Sequence, residues 1–145
     1  MQAKIRVLLL LLFVSPLTWA AQPLPKVTVY KSASCGCCEK WVAHMRANGF
    51  EVVTRDTDNV AAQKVRLGVP EKMASCHTAE VGGYVVEGHV PAADVKRLLA
   101  SKPNIRGLAA PGMPASAPGM DQPGKIPYTV YSLKKNGTTA EYARY

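Results

Sequence analysis

The sequence predicts a small α/β domain over residues 26–102, ordered β-α-β-α-β-β-α, followed by a Pro/Gly/Met-rich C-terminal extension over residues 103–145 that ends in a β-hairpin. Three observations predict it. Short β-branched runs alternate with helix-period apolar stripes. The composition changes abruptly at Pro103, and Asn136-Gly137 divides two late strand-like runs as a tight-turn signal. At 145 residues the chain has room for one modest domain plus additions, which excludes a TIM barrel or a full-size Rossmann enzyme.

Each element has its own signal. Val27-Thr28-Val29-Tyr30 is β-branched and aromatic, a first strand, and a polar loop follows it. Trp41, Val42 and Met45 form an i, i+1, i+4 stripe within residues 37–48, a helix stopped by Gly49. Residues 51–55 read as a second strand, parallel to the first. Asn59 is suited to cap a short helix that Gly68 and Pro70 end beyond Leu67. Residues 75–81 and 84–87 flank Gly82-Gly83 as an antiparallel pair, and Pro91 opens a helix whose buried side is Val95, Leu98 and Leu99. This order resembles the thioredoxin fold. Of the 25 residues from 103 to 127, six are Pro and four are Gly, which excludes both a helix and a central strand there. Residues 128–133 and 138–142 make the terminal hairpin, which is marginal alone and is expected to dock on the main domain.

The N-terminus reads as a signal peptide over residues 1–20. Lys4 and Arg6 precede an apolar run over residues 7–14, then Ser15-Pro16 and the small-residue pattern Thr18-Trp19-Ala20. The run is too short to be preferred as a spanning helix. Cleavage after Ala20 removes Lys4 and Arg6, so the +8 of the full chain becomes +6. The expected mature protein is exported, without a membrane span. Its basic balance reads as a solvated surface, and nucleic acid is not an expected partner. Its cysteines then work in an oxidising compartment.

Three of the four cysteines stand in Cys35-Gly36-Cys37-Cys38, where the first strand leads into the first helix. A helix N-terminus offers unpaired N–H groups and the positive end of the dipole, which favour thiolate. Thiolate is both the nucleophile of disulfide exchange and a ligand for soft metals. Cys35 and Cys38 have the C-x-x-C spacing of a dithiol oxidoreductase, yet Cys37 is a surplus thiol there and suits a soft ion such as Cu(I). Zinc is less favoured without a second cysteine knuckle. Two structural disulfides are the alternative, and a metal-free oxidised form would link Cys35 to Cys38 or to Cys37.

Topology brings further donors to the same sheet end. Cys76 opens the third strand, antiparallel to the first, where thioredoxin-like proteins place a cis-proline loop; this chain has Ser75-Cys76-His77 instead. The fourth strand returns His89 to that end. His77 adjoins Cys76, but strand neighbours point to opposite faces, so ligand and structural roles both stay open. After a last helix rising about 16 Å, the ten steps from Pro103 to Met113 span up to about 33 Å. That is enough for the repeats Pro111-Gly112-Met113 and Pro118-Gly119-Met120 to return, bringing the soft thioethers of Met113 and Met120. Met45 reads as core and His44 as a helix surface residue.

Ser34-Cys35-Gly36-Cys37-Cys38 with Trp41-Val42, then Ser75-Cys76-His77-Thr78-Ala79, then Gly83-Tyr84-Val85-Val86-Glu87-Gly88-His89-Val90-Pro91, then the Pro-Gly-Met repeats, resemble the CopG-like periplasmic metal-binding proteins of Gram-negative bacteria. The resemblance implies a thioredoxin-like domain with a metal-binding extension. It also implies a sulfur-bridged site for several copper ions and a role in copper resistance that interconverts Cu(I) and Cu(II). Cys35, Cys37, Cys38 and Cys76 are its ligands by position, with His77, His89, Met113 or Met120 completing the site. The expected protein is a periplasmic monomer whose partners are copper ions and periplasmic copper-efflux or chaperone proteins. The competing readings are a metal-independent thiol–disulfide oxidoreductase using Cys35 and Cys38, and a passive copper store or chaperone.

Overall fold

The computed structural model describes residues 23–120, 122 and 125–145; the expected signal peptide lies outside them. Among the described residues, seven strands form one mixed sheet, with three α-helices distributed over its two faces. The strands are β1 (Val27–Lys31), β2 (Val52–Asp56), β3 (Thr78–Val81), β4 (Tyr84–Gly88), β5 (Gly107–Ala110), β6 (Thr129–Leu133) and β7 (Thr139–Arg144), in the order β2-β1-β3-β4-β5-β6-β7. The helices are α1 (Gly36–Ala47), α2 (Val60–Leu67) and α3 (Ala92–Ser101), with a 3₁₀ turn at Glu71–Met73. No described helix is long and apolar enough to cross a membrane.

Alternation decides which side of each strand is covered. Val27, Val29 and Lys31 are buried while Thr28 and Tyr30 are only half-buried. Val27, Val29, Ala79, Val81 and Val86 pack with Trp41, Val42 and Met45 of α1 and Val95 and Leu98 of α3. A second cluster joins Val85, Ala109 and Leu133 to Leu67, Val69 and Met73, so Met73 is a core residue. Asn59 caps α2 by accepting the Ala62 N–H at 2.9 Å, and Gly68 closes it in the left-handed region at φ 71°.

The Pro/Gly-rich segment corrects one expectation. It holds a central strand, because β5 sits between β4 (parallel) and β6 (antiparallel). The prolines flank this stretch at Pro103 and Pro111, leaving Gly107-Leu108-Ala109-Ala110 with all its N–H donors. The small residues matter as much. A Cβ on Gly107 would fall 1.8 Å from the Val85 carbonyl oxygen, so no side chain fits between these strands at that register. The sheet therefore runs without a break from the strands before Pro103 into those after it. β6 and β7 then pair antiparallel around Asn136-Gly137.

Two buried charged side chains, Lys31 and Glu87, fix the parts that carry the cysteines. Lys31, fully buried at the end of β1, reaches Glu39 of α1 at 2.5 Å and Asp56 of β2 at 2.8 Å. The hydrogen bond to Asp56, then that to Glu39, holds its ammonium above the usual lysine range. On the opposite face Glu87 of β4 is buried, and its Oε1 accepts from Lys64 Nζ at 2.5 Å and from the Ser75 N–H at 2.6 Å. Burial pushes the Glu87 carboxyl up, against the pull of Lys64. The Thr78 side chain, in register with it on β3, also pulls it down. Glu87→Gln removes the charge opposite a nearly buried ammonium and is expected to destabilise the protein by about 3 kcal/mol. Denaturant unfolding checks this. The Lys64→Met/Glu87→Gln double variant should lose less than the sum of the singles, and strict additivity would refute the coupling.

Candidate metal centre

α1 begins at the exit of β1, so the first cysteines stand at a helix N-terminus. Cys35 is the N-cap residue with extended backbone, and Cys37 and Cys38 lie in the first turn. Cys38 is buried; Cys35, Cys37 and Cys76 are half-buried. Of the two pairings left open by the sequence, the structure holds the Cys35–Cys38 disulfide, leaving Cys37 and Cys76 as free thiols.

Cys76 corrects a second expectation. It does not open β3 but precedes it by two residues, in a loop whose Ser75 bridges Gly112. Strand alternation therefore does not separate its neighbours. The Cys76 Sγ lies 3.3 Å from His77 Nδ1, 3.1 Å from His89 Nε2 and 3.9 Å from Cys37 Sγ. Cys37 Sγ is in turn 3.6 Å from Cys35 Sγ. Two donor groups result, Cys35-Cys37-Cys38-Cys76 and Cys76-His77-His89, each with its donor atoms within 4.8 Å of one another. Cys76 belongs to both.

These separations fit a metal. Bonds of about 2.0–2.3 Å to tetrahedrally arranged N and S donors put those donors about 3.3–3.8 Å apart. The donor set of thiols and imidazoles suits soft or borderline ions. Both imidazoles are buried, with the His77 ring tilted against Trp41 at 4.5 Å and 5.1 Å from His89. The ring nitrogens that face the Cys76 sulfur are the Nδ1 of His77 and the Nε2 of His89.

Burial also sets the protonation. It holds the His77 imidazole well below the usual range, helped by His89 and Lys64, and it lowers His89 against the Pro118 carbonyl. Both rings are thus neutral at pH 7, as ligands must be. Burial, then the nearby Cys37, pushes the Cys76 thiol up to about 11. Cys76 accordingly keeps its proton at neutral pH, and a metal ion bound as thiolate must release it. Affinity is expected to rise at least about tenfold per pH unit from about pH 6 to about pH 8. Competition titrations at several pH values check this, and a flat profile would refute it.

The extension reaches this end of the sheet. The Gly112 N–H donates to Ala74 O at 3.0 Å, and Ser75 Oγ donates to Gly112 O. The His89 Nδ1 donates to Pro118 O at 2.8 Å. Backbone of both Pro-Gly-Met repeats thus adjoins the donor residues. The side chain of Met113 is 61 % exposed and that of Met120 half-buried. Met45 is core, whereas His44 is half-buried and caps α3 by accepting the Ala92 N–H at 3.1 Å. Sequence reasoning missed Glu87 and Lys64, which hold Ser75 beside Cys76. The available signal was an acid inside an apolar strand, Val85-Val86-Glu87.

Comparison with known proteins adds three findings. A family described as a protein of unknown function, DUF411, matches residues 73–120. A search of the curated proteins found no match. Two solved structures, copper resistance protein CopG Form 2 and Form 1, are similar along nearly their whole length. Form 2 has 42% sequence identity and a TM-score of 0.80, with 86% of this chain and 99% of that chain covered. Form 1 has 42% identity and a TM-score of 0.79, with 86% and 98% covered.

Proposed function

The chain belongs to the CopG family of copper resistance proteins, and from that premise we propose that it binds several copper ions at the Cys76-centred cluster and serves copper resistance in the periplasm. One observation carries the reading: a single half-buried thiol, Cys76, stands between a cysteine group and a histidine pair. Cys37, Cys76, His77 and His89 would hold copper in the disulfide form, and reduction of the Cys35–Cys38 bond by two electrons would make two further thiols available. Met113 and Met120 are the candidates to close the site. Thiolates favour Cu(I) and imidazoles tolerate Cu(II), so mixed ligation supports a change of oxidation state at the bound ion.

The remaining features support this assignment. The N-terminal residues have the pattern of an export signal, which agrees with an oxidising compartment. β1 to β4 with α1 to α3 are read as a thioredoxin-like domain. The support is the parallel β1/β2 pair, the antiparallel β3 and β4, and the C-x-x-C disulfide at a helix N-terminus. Periplasmic efflux or chaperone proteins would receive or deliver the metal to a monomeric chain.

Anaerobic Cu(I) titration of the reduced protein with metal analysis tests the proposal. More than one copper per chain is expected, with less in the disulfide form. Negligible uptake, or equal uptake by the variant with all four cysteines changed to Ser, would overturn it. The disulfide itself favours a second reading, a thiol–disulfide oxidoreductase using Cys35 and Cys38. Metal-free protein that fails to reduce insulin disulfides would dismiss that reading.

A further inference from the structure

The two Pro-Gly-Met repeats touch the cluster through their backbones, not only through what their sulfurs can offer. In both repeats the glycine has positive φ, 67° at Gly112 and 86° at Gly119. The first repeat grips the Cys76 limb, since Gly112 exchanges hydrogen bonds with Ala74 and Ser75. The second grips the other limb. Gly119 lies flat against α1, where a Cβ would fall 2.7 Å from the Trp41 nitrogen and 3.0 Å from the Lys40 carbonyl carbon. Such close approach of two backbones tolerates no side chain. It brings the preceding carbonyl, Pro118 O, to 2.8 Å from His89 Nδ1.

That contact has a chemical consequence. A carbonyl oxygen can only accept, so the Nδ1 of His89 carries the proton. In a neutral imidazole the other nitrogen then keeps its lone pair. This Nε2 is the atom 3.1 Å from Cys76 Sγ. We propose that the second Pro-Gly-Met repeat is a positioning device: the Pro118 carbonyl, seated by Gly119 on α1, orients His89 so that a bare Nε2 faces Cys76. The proposal rests on the copper-site reading for its purpose but not for its geometry. Partners on the remote nitrogen of a metal-ligating histidine fix its tautomer and raise its basicity, and losing them costs roughly 10–100-fold in metal affinity. It also assigns the Pro/Gly-rich composition a task that requires glycine at that position.

Long-range ¹H–¹⁵N correlation spectra of the metal-free protein read the tautomer directly. His89 protonated on Nδ1 is expected, and protonation on Nε2 would overturn the proposal without any variant having to fold. In Gly119→Ala the tautomer population should move toward Nε2–H, and Cu(I) affinity should fall roughly 10–100-fold. An unchanged tautomer in a folded Gly119→Ala protein would also overturn it. Met120→Leu removes the thioether and keeps Gly119, so the His89 tautomer should persist whatever happens to copper; a shifted tautomer there would count against the backbone device. Wild-type protein that shows the Nδ1–H tautomer and takes up no copper would instead sink the function reading.

Discussion

Cys76→Ser is expected to weaken Cu(I) binding at least about 100-fold, about 2.7 kcal/mol, while leaving the fold in place. The asymmetry among the cysteines is geometric. Cys76 Sγ is within 3.9 Å of a thiol and two imidazole nitrogens, and it is the member common to both donor groups. Serine keeps the size of the side chain but offers a hard, poorly ionising oxygen that soft ions bind weakly. Cys76 is half-buried and outside any strand, so unfolding free energy should change by less than about 1 kcal/mol. Cys35→Ser should cost less copper, because Cys35 belongs to one group alone. Competition titration and thermal unfolding of the same samples check both halves. Copper affinity within about threefold of wild type for Cys76→Ser would refute the central place assigned to it.

Gly107→Ala is expected to destabilise the protein by at least about 3 kcal/mol, although it adds one methyl group. The new Cβ would meet the Val85 carbonyl oxygen at 1.8 Å and its carbonyl carbon at 2.6 Å, both backbone atoms of the neighbouring strand. No rotamer relieves that contact, so β4 and β5 must separate and lose ladder hydrogen bonds. The cost spreads, because β5 joins β6 and β7 to the sheet and leads into the Pro-Gly-Met segment. Gly137→Ala is the comparison: its φ of 82° is positive, where that of Gly107 is not, yet a Cβ there meets open space, and about 1 kcal/mol is expected. Equilibrium denaturation of the two variants decides, and equal losses would show that strand spacing is not the constraint at Gly107.

Much of this architecture is legible because it is local. The Val27-Thr28-Val29-Tyr30 alternation, the Trp41/Val42/Met45 stripe and the Asn59 cap each declare themselves within a few residues. The C-x-C-C motif is equally local, since its chemistry follows from standing at a helix N-terminus. β5 is the counterexample. Its Gly and Ala residues have weak strand propensity and lie among prolines, and they form a strand by pairing with β4 and β6, where Gly107 sits too close to Val85 for any side chain. Likewise, His44 reads as a surface residue until α3 is placed with its first N–H on the ring.

The sequence by itself determined the soft-ligand inventory: three cysteines on one helical turn, a Ser-Cys-His stretch, a returning histidine and a duplicated Pro-Gly-Met. Those are statements about which donors exist and which end of the sheet they reach, and chain order and strand direction suffice for them. Only the tertiary structure decided how the donors meet. It took Cys76 out of β3 so that both histidines face one sulfur, tied its loop to the buried Glu87, and laid the extension across the cluster as backbone as well as side chain. The physical reason is range. Hydrogen bonds from His89 to Pro118 and from Ser75 to Glu87 join positions 29 and 12 residues apart, and such pairings exist only after the sheet has brought its strands together.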